Sequence, residues 1–412
     1  MSYLPPTAQE ELVAQGLNNL ANQLLREDHV ASALALYRRA VRLAPGEYRW
    51  KANLAGALAT EGYTQEALNL AKEVVAHAPD YYFGWSVYGF LCLASNLAEK
   101  AIACFNKAVE LAPNNATCLL DQAYAYLAAG RWARGFELYE GRRHWRPERV
   151  FSMPRWQGDK DADAHVWGEQ GFGDTINFAR YIPWLAERCK SVTFAVPTAL
   201  FTLLKGYERY GRVVTLEQHQ PTGEEVALMS LPLLANTTPD NVPPDPGVLN
   251  VAMSSGAFGG GGKKVGLVWA GNKNHVRNRN RSVAFTDMLQ LAANPALELY
   301  GLQVGERAAD IAVHRAQSLV TDLSGVVEKD WCATAAVLKQ LDALVTVDTS
   351  VAHLAGALGV KTALLVYSGG DWRWLLDRQD CVWYPSVTLF RQNQPGCWED
   401  ALQKVSRWLE DL

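Results

Sequence analysis

Residues 40–80 read AVRLAPGEYRWKANLAGALATEGYTQEALNLAKEVVAHAPD, and the spacing of their two prolines decides how the first third of the chain is organised. Pro45 and Pro79 are followed in the same phase by Pro113 and Pro147, a step of 34 residues each time. Twelve positions before these prolines stand Ala33, Ala67, Ala101 and Gly135. Eight before stand Tyr37, Ala71, Phe105 and Tyr139, and five before stand Ala40, Val74, Ala108 and Arg142. Small residues at the first of these positions let two helices approach closely, and the larger apolar ones fill the groove between them. Proline ends the second helix, because it lacks an N–H and clashes with the preceding turn. The phase predicts helix pairs over 10–26 with 30–43, 50–61 with 64–77, 82–95 with 98–111, and 116–129 with 131–143.

A 34-residue helix pair is the tetratricopeptide period. A plain helical bundle has no reason to hold it. Such pairs stack into a curved solenoid whose concave surface usually docks a peptide or protein. The alternative for that surface is that it only stiffens the rest of the chain. The fourth repeat is degenerate: Gly135, Arg142 and Arg146 replace small or apolar residues, which suits a terminal repeat.

Beyond Pro147 the periodicity changes. Ala164–Trp167 is a short apolar run that enters Gly168-Glu169-Gln170-Gly171-Phe172-Gly173-Asp174-Thr175, with a helical pattern from Ile176 to Cys189. Strands are expected at Ser191–Val196, Val213–Leu216 and Val226–Met229, and a helix at Ala199–Tyr210. This strand–loop–helix–strand order predicts a small parallel sheet. Pro243–Gly247 and Gly259–Gly262 read as a linker, since consecutive glycines hold regular structure poorly. A second set follows: strands at Lys264–Trp269, Leu297–Leu302, Leu341–Val347 and Thr362–Val366, and a helix at Val351–Leu358. The expected organisation is residues 1–150 as repeats, 151–258 as a first α/β lobe and 263–412 as a second.

The bulk numbers agree with such a chain. Its 412 residues exceed one compact core, and 49% hydrophobic with 20% charged residues is ordinary for a globular protein. A net charge of −4 argues against a nucleic-acid partner. Seven scattered cysteines without a CxxC pair read as reduced thiols, and no stretch approaches the ~18 apolar residues of a membrane span. The N-terminal MSYLPPTAQEELVAQ lacks the basic and apolar regions of a signal peptide, so a cytoplasmic location is expected.

Three stretches can carry chemistry. Asp348-Thr349-Ser350-Val351-Ala352-His353 ends a buried strand and starts a helix, whose free N–H groups and dipole suit a phosphate. Thr349 and Ser350 add hydroxyls, and His353 lies one turn further in. The competing reading makes Asp348 or Thr349 a simple cap and His353 a packed core residue. Gly171-Phe172-Gly173-Asp174-Thr175 permits a tight turn beside the backbone, with Asp174 either a general base or a cap. The basic run NKNHVRNRNRS, Asn272–Ser282, carries Arg277, Arg279 and Arg281, suited to phosphate oxygens or simply solvated. Two decoys are set aside. Asp161-Ala162-Asp163 precedes a strand rather than following one, and Gly168-x-x-Gly171-x-Gly173 has the wrong spacing for a dinucleotide loop.

Four blocks, GEQGFGDTINFARY, GLVWAGNKNHVRNRNRS, DTSVAHLAGALG and DWRWLLDRQDCVWYP, resemble in order those of bacterial proteins in which repeats are fused to a glycosyltransferase family 9 domain. That family includes the ADP-heptose:lipopolysaccharide heptosyltransferases, and the resemblance covers about residues 10–410. It implies a GT-B fold of two Rossmann-like lobes with no metal or other cofactor. It implies that Asp348, Thr349, Ser350 and His353 grip a nucleotide diphosphate. Ser350 stands where the family has glycine. Arg281 would contact phosphate, Asn272 would belong to the same nucleotide-sugar site, Trp331 would border the base, and Asp174 would be the catalytic base. Gly171, Gly173 and Thr175 would form the acceptor-side loop. The expected function is metal-independent, inverting transfer from a nucleotide-diphospho-sugar to a protein or glycan acceptor recruited by the repeats. The rival is a degenerate GT-B scaffold serving as an adaptor.

Overall fold

The computed structural model describes residues 7–27, 29–145, 151–217, 220–251, 258–259, 261–273, 275 and 278–412. Pro147, Arg146, Gly260 and Arg277 lie outside them. The chain divides into two compact units. One runs through the repeats to Arg142 and also takes Tyr367–Asp377 and Asn393–Cys397; the other holds Arg143–Val366, Arg378–Gln392 and Trp398–Leu412.

The repeat unit is a tetratricopeptide-type stack. Its helix pairs are Ala8–Arg26 with Val30–Leu43, Tyr48–Thr60 with Thr64–His77, Tyr82–Ala94 with Ala98–Leu111, and Ala116–Ala128 with Trp132–Tyr139. The phase works as the spacing dictates. Ala33, Ala67 and Ala101 are fully buried. A β-carbon at Gly135 would lie 2.7 Å from Leu127, so only glycine allows that approach. Phe105 fills the groove over Gly89, whose β-carbon would meet its ring at 2.8 Å. Burying such a ring stabilises the pair by roughly 1.5–3 kcal/mol. The last second helix stops at Tyr139, four residues before the expected end.

This unit contains a component that periodicity did not reveal. Trp372, buried, lies edge-on to Trp132, Phe136 and Tyr139 at centroid distances of 6.3, 5.6 and 6.3 Å. Asn96 donates to Asp377, and the Pro395 carbonyl passes 2.8 Å from where a β-carbon of Gly62 would be. Segments from late in the chain thus complete the packing of the second, third and fourth repeats.

The other unit holds two all-parallel sheets. The first contains β1 (Asp163–Trp167), β2 (Ser191–Val196), β3 (Arg212–Thr215) and β4 (Glu224–Ala227) in the order β3-β2-β1-β4. The second contains β5 (Lys263–Val268), β6 (Leu297–Gly301), β7 (Val320–Asp322), β8 (Ala343–Val347), β9 (Thr362–Val366) and β10 (Val387–Arg391). Its order is β10-β9-β8-β5-β6-β7. Every residue of β8 and β9 is buried, as expected of parallel strands covered on both faces. The second sheet grows outward from β5 to β7, then the chain returns beside β5 and grows the other way. This doubly wound order is Rossmann-like, and ligands in such sheets bind outside the carboxyl ends of the strands where the order reverses, here between β5 and β8. The first sheet reverses in the same way between β1 and β4.

Several local expectations shift for identifiable reasons. The strand expected at Val226–Met229 lies two residues earlier. Glu225 sits inside it because Trp167 Nε1 donates to its carboxylate at 2.9 Å and Arg143 pairs with it. The helix expected from Ile176 begins at Phe172, breaks after Phe178 and resumes over Ile182–Ala186, with Pro183 in its first turn. The helix expected over Ala199–Tyr210 is three short helical pieces, Thr198–Leu200, Phe201–Leu204 and Lys205–Arg209. The proline-rich stretch after 243 is laid on them. Asn250 N–H bonds Leu203 O at 2.8 Å, and the Val248 carbonyl occupies the space of a β-carbon at Gly206.

Candidate functional site

Both switch points end in loops that start helices, and the fold brings those helices together. In the first lobe β1 leads through Gly168–Gly171 into the helix Phe172–Phe178. In the second, β8 leads through Asp348 and Thr349 into the helix Ser350–Ala357. A β-carbon on Gly173 would lie 2.7 Å from His353 Cδ2 and 3.3 Å from Ser350 Cα. Gly173 therefore seats one helix directly on the other. Two motifs more than 170 residues apart in sequence meet at one point.

The start of the second helix lacks a side-chain bond from its own cap residue. Thr349 has the extended backbone of a cap residue, yet its side chain makes no capping bond. Its Oγ1 is enclosed and has no hydrogen-bond partner. A threonine here would ordinarily satisfy one of the first N–H groups, and this one does not. Ser350 is the first helical residue, and Asp348 is partly buried at the strand end.

The adjacent strand supplies the cation. β5 pairs with β8 as far as Val268 opposite Thr346, so the loop after β5 starts beside the Asp348 turn. That loop is closed by Val283 N–H donating to Trp269 O at 2.8 Å. The closure returns Arg281 to the strand end, where its guanidinium lies over Gly271, 2.5 Å from the position of a β-carbon. Arg281 Nε is buried without a partner, and among the described residues no carboxylate pairs with this arginine. Asn272 is exposed in the same loop. Gln303, buried after β6, braces the loop: its Oε1 accepts from Trp269 N–H (3.1 Å) and Ala270 N–H (2.9 Å), and its Nε2 donates to Ala270 O and Val304 O. Sequence reading did not single out Gln303; a glutamine directly after a strand that neighbours β5 was the signal.

The remaining residues have definite places. Asp174 is partly buried, and its Oδ2 accepts from Gly171 N–H at 2.9 Å. This is the return half of a capping box only, since glycine has no side chain for the other half. Thr175 Oγ1 donates to Gly171 O at 3.4 Å, tightening the same turn. Phe172, 39% exposed, meets Trp331 edge-on at 5.7 Å, so an aromatic pair flanks the two helix starts. Trp331 begins a helix capped by Asp330, which accepts from Ala333 N–H at 2.7 Å. His353 is buried, with Nδ1 3.1 Å from the hydroxyl of Tyr384. Burial pushes the Tyr384 phenol well above its ordinary range, with Arg180 pulling partly against it. Among the described residues no group of three or more His, Cys, Asp or Glu could hold a metal ion, and no helix is long and apolar enough to cross a membrane.

A tetratricopeptide-type stack together with a pair of doubly wound parallel sheets is the class that this geometry defines. No family model matches the chain. It is similar to protein FlbA of Caulobacter vibrioides, with 23% identity over 475 residues covering 97% of this chain and 78% of that protein. It is also similar to the TPR repeat-containing thioredoxin TTL4 of Arabidopsis thaliana, 33% identical over 101 residues, 24% of this chain and 15% of that protein. Among solved structures, a mutant O-GlcNAc transferase of Thermobaculum terrenum aligns over 89% of this chain and 84% of its own, with 13% identity and a TM-score of 0.36.

Proposed function

We propose that the second lobe binds the diphosphate of a nucleotide-diphospho-sugar, and that the chain transfers the sugar to a protein or glycan acceptor held by the repeats. The observation that carries this reading is Thr349: a residue in the cap position whose enclosed hydroxyl caps nothing, at the switch point of a doubly wound sheet. A helix start offers free N–H groups and the positive end of its dipole. Arg281, on the loop from the adjacent strand, adds a charge that no carboxylate pairs with among the described residues. Together these groups would offset negative charge growing on a leaving diphosphate.

In this reading Asp174 takes the proton from the acceptor hydroxyl as the glycosidic bond forms, and Trp331 with Phe172 borders the base. Transfer is inverting and needs no metal, as the family 9 resemblance implies. The heptosyltransferase-like donor and the cytoplasmic setting belong to the same proposal. The adaptor reading has one observation in its favour: Asp174 is already engaged with Gly171 N–H, so its carboxylate also serves the fold.

Titration of UDP-, GDP- and ADP-linked sugars, followed by thermal shift, tests the proposal. A ligand at about 100 times its Kd stabilises the protein by about 2.7 kcal/mol. Thr349→Ala with Ser350→Ala should weaken binding about tenfold or more, because hydrogen bonds to charged groups contribute about 1.5–3 kcal/mol. Stabilisation by none of the panel favours the adaptor; unchanged affinity in the double variant moves the diphosphate elsewhere.

A further inference from the structure

We infer that Arg180 is a positioning residue that holds the two lobes in register across the candidate site. It follows the helix Phe172–Phe178 in the first lobe and is only 2% exposed. Among the described residues no carboxylate lies within ion-pair reach of it. Its partners are carbonyls from three segments. Nε donates to Asn177 O at 2.8 Å, and Nη1 donates to Trp383 O at 2.6 Å and to Pro243 O at 3.2 Å. The first is its own helix end, the second is in the second lobe, and the third is in the segment after the first lobe.

The contacts continue to the site. The Arg180 guanidinium lies 4.7 Å from the ring centre of Tyr384. That ring packs on Gly356, where a β-carbon would meet it at 2.4 Å, and its hydroxyl reaches His353 Nδ1. Gly356 and His353 both belong to the helix Ser350–Ala357. Phe178 meets Trp383 edge-on at 5.3 Å beside the same bridge. The two switch-point helices are thus joined twice: by Gly173 on His353 at their starts, and by Arg180 through Tyr384 further along. A buried arginine is costly unless its donors are satisfied; here Nε and Nη1 are satisfied, while Nη2 is buried without a hydrogen-bond partner. Here a planar fork spans carbonyls that a lysine's single ammonium could not reach together. The function that fits this arrangement is to fix the spacing between the Asp174 turn and the Thr349 turn.

The test compares Arg180→Met, Arg180→Lys and Leu185→Ala by deuterium exchange of the full chain without ligand. Leu185 is a fully buried first-lobe residue that serves as a control for general destabilisation. Arg180→Met should speed exchange about tenfold or more in Ser350–Ala357 and at the hydrogen-bonded Gly247 amide, because a charged hydrogen bond between lobes is lost. Arg180→Lys should recover part of that protection, and Leu185→Ala should leave Ser350–Ala357 unchanged. Wild-type exchange there in Arg180→Met, or an equal rise in Leu185→Ala, would overturn the inference. Should Arg180→Met not fold, Tyr384→Phe keeps the stacked ring and removes only the bond to His353. It should loosen Ser350–Ala357 while leaving the Gly247 amide protected, and loosening at neither place counts against the bridge. These readouts need no nucleotide. A wild-type protein that binds none of the panel refutes the diphosphate reading and leaves this one standing.

Discussion

Gly173→Ala isolates the contact on which the candidate site depends. The substitution adds one methyl group 2.7 Å from His353 Cδ2, 3.3 Å from Ser350 Cα and 3.5 Å from His353 Cγ. Comfortable carbon–carbon contact is about 3.5–4.0 Å, so the two helices must part by about 0.8 Å or more. The neighbours cannot yield cheaply. His353 is buried and tied to Tyr384, and Ser350 Cα is backbone. Overpacking of this kind costs about 1–3 kcal/mol. Against it stands the gain from replacing a helical glycine, about 0.5–1 kcal/mol. The expected net result is a loss of up to about 2.5 kcal/mol in the unit that holds both sheets. Native-state hydrogen exchange of Phe172–Phe178 and Ser350–Ala357 reads it locally, which matters because a chain with two units need not unfold in one step. Gly56→Ala is the control: it lies in a repeat helix with nothing within 4 Å of its β-carbon position, so only the propensity gain applies. If Gly173→Ala also gains stability and Ser350–Ala357 keeps its protection, the helices do not touch in solution and the site as described does not form.

Two further outcomes follow from particular groups. Asp174→Asn keeps an acceptor for Gly171 N–H, so its melting temperature should stay near wild type while turnover falls about 10²–10⁴-fold if Asp174 is the base. Asp174→Ala should lose stability as well, and an Asn variant with wild-type turnover leaves Asp174 as a helix cap alone. Burial raises the Asp245 carboxyl above its usual range, with Gly247 N–H and Arg180 pulling partly against it. The folded protein therefore binds that proton more tightly than the unfolded chain. The resulting stability is full below about pH 3.9 and is lost as pH rises through the folded value. Asp245→Asn should be at least as stable as wild type at neutral pH, with a flatter dependence in mild acid. Thermal unfolding across a pH series would contradict this if the variant were weaker at neutral pH.

The repeats were legible in the sequence because their packing is local. Each small residue, groove filler and proline acts within one helix pair, so a 34-residue phase records the contacts directly. The strands β5, β8 and β9 were legible as apolar runs buried on both faces, and the Asp348–His353 and Gly171–Thr175 turns stood out as polar groups following such runs. The strand β10 and the helix Glu399–Glu410 were not assigned, and β4 was displaced because Glu225 owes its place to partners distant in the chain. Which turns meet was decided only by tertiary structure. Gly173, Arg180, His353 and Tyr384 converge because each sheet reverses its winding beside its first strand and the helices after β1 and β8 are packed together, a relation that no local pattern encodes. The same is true of Trp372, whose ring contacts join it to the repeats. Periodicity reports what a residue does for its own element; contacts between residues far apart in sequence are set by how the elements fold back on one another.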